Sequence, residues 1–116
     1  MRSLSNLMLG ICMLSFGAYA AEECTEIRFA PGATSVEIKG EAPPDDVICY
    51  LMRTGANQQA KIQVLEGANT LVTVIDVADA RQELSFTTQS RQYEILVGQL
   101  MRAIEAEPFR LLVSVK

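Results

Sequence analysis

Reactive chemistry in this chain has few residue types to draw on. The sequence contains no histidine and no tryptophan. It therefore lacks the commonest general base and the commonest transition-metal ligand. Serines are present, but none lies in a nucleophile-elbow motif, and no histidine exists to activate one. Two pairs of carboxylates stand close in sequence: Asp45 with Asp46, and Glu105 with Glu107. A carboxylate pair does acid–base work only when its surroundings split the two pKa values. Both pairs lie in polar, loop-like stretches where solvated side chains are expected. Asp76 and Asp79 have hard oxygen ligands suited to calcium, but not the spacing of a calcium loop. These two read as charges at a strand end. Tyr93 and Phe109 are single aromatics on alternating runs and read as core. The sequence predicts a non-enzyme, with no cofactor and no metal.

Cysteine is the remaining reactive type. Of three cysteines, Cys12 lies within MRSLSNLMLGICMLSFGAYA, which has the layout of a secretory signal. Arg2 supplies its positive start. Residues 7–16 form an apolar stretch too short to cross a bilayer. Ala18-Tyr19-Ala20 is a small-x-small cleavage site, so residues 1–20 are expected to be removed and 21–116 to form one domain. The other reading of this segment is an uncleaved anchor. Ile11 stands where a lipid-attached Cys12 would need a small residue. Cleavage places the chain in an exported compartment, with no stable membrane insertion afterwards. It leaves Cys24 and Cys49 as the only cysteines. An oxidising compartment allows them to pair. Free thiols or an intermolecular bridge are the alternatives. A closed loop of 26 residues, counting both cysteines, would stabilise the fold by about 3.5 kcal/mol.

Charge narrows the partners. The formal net charge is -4 and includes Arg2. The charges are dispersed without a basic run, which argues against nucleic acid. Modest negative charge serves solubility and also favours a basic protein partner. Nothing in the sequence sets the oligomeric state.

The elements that would carry these residues are strands. Ile27 and Phe29 alternate with Glu26 and Arg28. Val36 and Ile38 alternate with Glu37 and Lys39. That period of two marks half-buried strands. Pro31-Gly32 turns the chain between them, and residues 40–46 form a loop. Residues 47–52 are apolar on both faces and read as an interior strand. Residues 61–65 alternate again. Residues 71–77, rich in β-branched side chains, read as central. Residues 55–59 and 67–69 are turns, 78–83 a polar connection, and 84–88 a short strand. Tyr93, Ile95 and Val97 share one face, as do Phe109, Leu111, Val113 and Val115. The sequence thus predicts an all-β fold: a small antiparallel β-sandwich of seven to eight strands with one disulfide. Segment 98–107 has helical residue types with Leu100, Met101 and Ile104 at helical spacing. It reads either as a hairpin connection or as part of a helix over 93–107 ended by Pro108.

A resemblance attaches to these runs. Phe29-Ala30-Pro31-Gly32, Ser35-Val36 and Gly40 resemble the opening of bacterial pre-peptidase C-terminal domains, which are small secreted β-sandwiches. Tyr50 to Gly55 with Gln58 resembles their Tyr…Gly-Gln turn, with two extra residues before the glutamine. Residues 93–97 and 109–115 resemble their closing hairpin. Glu37-Ile38-Lys39-Gly40 and residues 93–99 are similar to the periplasmic inhibitors of goose-type lysozyme, which use the same frame. The proline-rich acidic loop 41–46 departs from that pattern in having no aromatic residue. The Ser-Gly-x-x-Tyr loop of inhibitors of chicken-type lysozyme is absent. The resemblance implies a jelly-roll-like sandwich that blocks a wall-degrading enzyme with a loop. A non-catalytic accessory module that binds a cell-surface polymer or protein is the alternative.

Successive loops of such a sandwich alternate between its two ends. Counted from the first strand, turn 31–32, turn 55–59 and segment 98–107 fall together. The expected binding residues are therefore Leu100, Met101 and Arg102, flanked by Asn57 and Gln58. Apolar side chains beside an arginine suit an interface anchor. The competing assignment has Leu100 and Met101 capping the core with Arg102 solvated.

Overall fold

The computed structural model describes residues 23–116. The expected signal segment 1–20 lies outside them. No helix occurs among the described residues. Nine strands form: β1 (Cys24–Glu26), β2 (Ser35–Ala42), β3 (Ile48–Thr54), β4 (Gln59–Glu66), β5 (Thr70–Val74), β6 (Ala78–Arg81), β7 (Glu83–Thr87), β8 (Arg91–Gln99) and β9 (Glu107–Val115).

They make two sheets. One has the order β1-β3-β8-β5-β6, the other β2-β9-β4-β7. Every pairing is antiparallel except β1 with β3. Inward side chains follow the period-two pattern. Tyr50 and Met52, Ile62, Val72 and Val74, Tyr93, Ile95 and Val97, and Phe109, Leu111 and Val113 fill the space between the sheets. The β-sandwich expected from alternation is present, with a single apolar core.

Cys24 and Cys49 are register partners in β1 and β3 and are joined by a disulfide across a Cα separation of 4.5 Å. β1 is only three residues long, and the bridge pins it to the sheet edge. Its direction carries Ile27 onward alongside β3, where the Ile27 N–H donates to the Leu51 carbonyl at 2.8 Å. Ile27 and Phe29 then pack against the core. The Pro31-Gly32 turn closes with the Ala33 N–H donating to the Ala30 carbonyl at 2.9 Å. Gly32 has φ +79°, which a type II turn demands at that position.

Two expectations change, and for segment 98–107 the hairpin reading holds over the helical one. The polar connection 78–83 contains β6, an exposed edge strand too short and too polar for its alternation to show. The loop 40–46 begins later than expected, because β2 continues to Ala42. The ladder with Glu107, Pro108 and Phe109 holds those extra residues extended. Gly40 belongs there: a Cβ would lie 2.8 Å from the Phe109 ring that covers it. Segment 98–107 is not helical. β8 runs through Gln99, β9 starts at Glu107, and the chain between them is a hairpin connection.

Candidate interaction surface

The ladders define the ends of the sandwich. Thr54 pairs with Arg91, Gln59 with Thr87 and Ser35 with Ser114 at the first end. Ile48 pairs with Val97, Thr70 with Gln99 and Ala42 with Glu107 at the second. Turns 31–32 and 55–58 therefore lie at the first end, while connection 100–106 lies at the second. Asn57 and Gln58 are thus separated from Leu100, Met101 and Arg102 by the length of the sandwich. The expected grouping of the five is corrected, and the cause is β6. An uncounted strand inverts the alternation of every later loop.

The two halves of that grouping also differ in their surroundings. At the first end, the Gln58 side chain is used by its own turn, accepting the Gly55 N–H at 2.9 Å. The Asn57 N–H donates to the Thr88 carbonyl at 2.8 Å, and Asn57 holds φ 60°. The Thr88 hydroxyl donates to the Gly55 carbonyl at 2.7 Å and accepts the Gln58 N–H at 3.0 Å. Asn57 and Gln58 build a turn.

The second end carries the exposed apolar residues. Leu100 is 66% exposed, Met101 65% and Ile104 94%. They do not cap the core. The start of their connection is held by the side chain of Asn69. Its amide nitrogen donates to the Met101 carbonyl at 2.9 Å and to Gln99 Oε1 at 2.8 Å. Its amide oxygen accepts the Met101 N–H at 2.9 Å, and its backbone carbonyl accepts the Leu100 N–H at 2.9 Å. Asn69 is fixed in turn, since its N–H donates to both oxygens of Glu107 at 3.1 and 3.2 Å. The Thr70 hydroxyl donates to the same carboxylate at 2.6 Å. Gln99 Nε2 ties the far side by donating to the carbonyls of Ala42 and Glu105, each at 3.0 Å. Apolar side chains are thereby presented to solvent on a backbone already ordered.

Arg102 is exposed and, among the described residues, enters none of the ion pairs. It shares a shallow groove with Asp45, Ala103 and Ile104. Asn69, Gln99, Ile104 and Glu107 were not expected to belong here. Asn69 read only as a turn residue and Glu107 as half of a solvated pair. The one available signal was a polar residue inside a tight turn facing a long connection.

The other chemical candidates have local partners. Asp46 accepts the Val47 N–H at 2.8 Å, and Asp76 lies 3.7 Å from Arg91. Cys24, Cys49 and Glu94 place their ligand atoms within 4.8 Å of one another, but the two sulfurs are bonded to each other and offer no thiolate. On the outer face of the second sheet, Arg110 lies between Glu37 at 3.0 Å and Glu66 at 2.8 Å. The hydrogen bonds it donates to Glu66 and to Glu37 raise its pKa, so it stays charged throughout.

No protein-family model matches the chain, and no curated protein matches it in sequence. Solved structures do. The fold is similar to that of Aeromonas hydrophila PliG, a periplasmic lysozyme inhibitor of g-type lysozyme. The TM-score is 0.69 at 26% identity, over 80% of this chain and 96% of that one. Salmonella Typhimurium PliG matches with a TM-score of 0.68 at 14% identity, over 82% and 99%. The pre-peptidase C-terminal domain of a Bacillus anthracis collagenase matches with a TM-score of 0.52 at 16% identity, over 82% and 96%. The sandwich of this chain thus has the fold of the PliG lysozyme inhibitors and, more distantly, of a pre-peptidase C-terminal domain, both expected from its strand motifs.

Proposed function

We propose that this protein is a periplasmic or secreted inhibitor of a goose-type lysozyme, which it blocks with the connection between β8 and β9. The carrying observation is the exposed apolar turn: Leu100 and Met101 stand in solvent on a backbone held by Asn69, and Ile104 stands in solvent beside Glu105, whose carbonyl Gln99 holds. Large apolar groups in water lose free energy when a partner covers them, about 1.5–3 kcal/mol for each side chain fully buried. The prior ordering of the turn removes an entropic cost that a flexible loop would meet on binding. Arg102 supplies the polar contact. In a lysozyme cleft it would meet a carboxylate, and such a charge-assisted bond strengthens as water leaves. The likeness to PliG, at 26% identity over most of both chains, selects the class of enzyme. The protein contributes no catalysis of its own in this reading. Its signal segment 1–20 is removed on export, and the disulfide forms outside the cytoplasm.

The test is a lysis assay with goose-type and chicken-type lysozymes, paired with direct binding. Wild type is expected to inhibit the goose type. Leu100→Ser with Met101→Ser, and separately Arg102→Ala, should weaken inhibition at an unchanged melting temperature, because these side chains are exposed. Absence of binding by wild type to any goose-type lysozyme would reject the proposal.

A further inference from the structure

Side chains that oxidants attack are scarce in this chain, and nearly all of them are shielded. Histidine and tryptophan are absent. Cys24 and Cys49 are bonded to each other and present no thiolate. Among the described residues the tyrosines are Tyr50 and Tyr93, both buried, and the methionines are Met52 and Met101. Met52 is 0% exposed in the core, whereas Met101 is 65% exposed. Met1, Met8, Met13 and Tyr19 belong to segment 1–20, which is expected to leave on export. One soft, accessible, oxidisable side chain is left among the described residues, and it stands in the turn between β8 and β9.

The turn fixes what oxidation would change there. Asn69 holds both the N–H and the carbonyl of Met101, each at 2.9 Å, which keeps the residue at the surface. Its side chain is no part of the core cluster, so the fold beneath does not depend on it. Leu100 stands beside it, 66% exposed. A thioether is apolar and flexible and suits a contact surface of this kind. A sulfoxide is polar, with an oxygen that seeks hydrogen bonds. Burying that oxygen against an apolar partner without a donor costs free energy that burying the thioether does not.

We propose that Met101 is a selective oxidation site whose sulfoxide turns the apolar face of the turn polar and releases the partner bound there. The release rests on the function proposed above; the site and the change in polarity do not. A peroxide supplies the oxygen. The thioether sulfur attacks one peroxide oxygen, and the S–O bond forms as the O–O bond breaks. The departing hydroxide takes the proton from the transferred oxygen and leaves as water. Sulfur loses two electrons and the peroxide gains them. Two thiols of a sulfoxide reductase reverse the step, giving the thioether, a disulfide and water. A partner seated on the turn covers the sulfur, so the complex should oxidise more slowly than the free protein.

The experiment treats the exported protein, disulfide intact, with a graded series of hydrogen peroxide, which is removed before the assays. Peptide mass spectrometry should find one added oxygen on the Met101 peptide before any on the Met52 peptide. The singly oxidised protein should elute earlier from a hydrophobic-interaction column, melt as before, and inhibit a goose-type lysozyme about tenfold or more less strongly. Sulfoxide reductase with a dithiol should restore both retention and inhibition. Met101→Leu should give the same retention and the same inhibition before and after peroxide, whatever its starting level. Oxygen on Met52 at the dose that modifies Met101, or unchanged retention of the singly oxidised wild type, overturns the site. Oxidised wild type that inhibits as untreated protein does, or Met101→Leu that loses inhibition on treatment, overturns the release. A wild type that inhibits no lysozyme before treatment overturns the proposed function and the release with it, while mass and retention still decide the site.

Discussion

Replacing Asn69 with alanine isolates the device that orders the candidate binding turn. The substitution removes three side-chain hydrogen bonds, two to the Met101 backbone and one to Gln99. Each is worth about 0.5–1.5 kcal/mol net. The Met101 backbone groups stay accessible to water after the change, so the low end applies and the sum is about 1.5 kcal/mol. For a domain of this size the melting temperature should fall by about 6–12 °C. The local effect is larger than the global one. Met101 loses the acceptor of its amide proton, and that proton should exchange at a rate near that of an unstructured peptide. Amides of Ile95 and Val97, in the core of β8, should be slowed as before. If the protein inhibits a lysozyme as proposed, affinity should drop about tenfold or more, because ordering the freed residues again costs about 1 kcal/mol or more each. The assay combines a thermal melt with residue-resolved hydrogen exchange. An unchanged melt together with an unchanged Met101 exchange rate would refute the claim that Asn69 holds the turn.

Three other outcomes follow from the packing. Replacing Cys24 and Cys49 with serine should lower stability by about 3 kcal/mol in urea titration and expose β1 to proteolysis, whereas protease resistance equal to wild type would show β1 held without its bridge. Gly40→Ala sets a Cβ 2.8 Å from the buried Phe109 ring and should cost about 1–3 kcal/mol, with a neutral result in chemical denaturation counting against that close approach. Burial raises the Tyr50 phenol above its ordinary 10.0, so above pH 10.0 the unfolded chain loses the proton first and stability falls as pH rises. Tyr50→Phe should flatten that alkaline decline, and a decline of the same depth in the variant would assign it elsewhere.

The strands with an apolar face were legible because burial imposes the pattern that reveals them. Tyr93, Ile95 and Val97 in β8, and Phe109, Leu111 and Val113 in β9, are all buried side chains on one face, and the period of two reports that directly. β6 buries almost nothing: three of its four residues are exposed, so its existence depends on pairing with β5 and leaves no mark on composition. That single omission misplaced the candidate site, moving Asn57 and Gln58 beside a turn at the opposite end. Residues 100–106 illustrate a second kind of blindness. Their residue types favour helix, but Asn69 and Gln99 hold their backbone from outside the segment. Side-chain hydrogen bonds between distant residues have no sequence period. The motif resemblance did reach the fold, because turn glycines and strand-face aromatics answer to backbone geometry that this architecture requires.

The position of β9 has a consequence for how the molecule is made. β9 lies between β2 and β4, so the first long strand and the last one are neighbours, with Ser35 against Ser114. Their sheet cannot close while the chain is being delivered residue by residue. Until β9 arrives, β2 has no partner and β4 has only β7. Contacts between residues so far apart make folding slow, and the waiting strands leave apolar faces uncovered, Val36 and Ile38 in β2 and Ile62 and Val64 in β4, which favours aggregation. β1 and β3, whose cysteines are close in sequence, can lock before this, so oxidation does not have to wait for β9. Newly synthesised chains should pass through an oxidised species with one sheet edge tied and the opposite sheet open, the state in which a chaperone would find them.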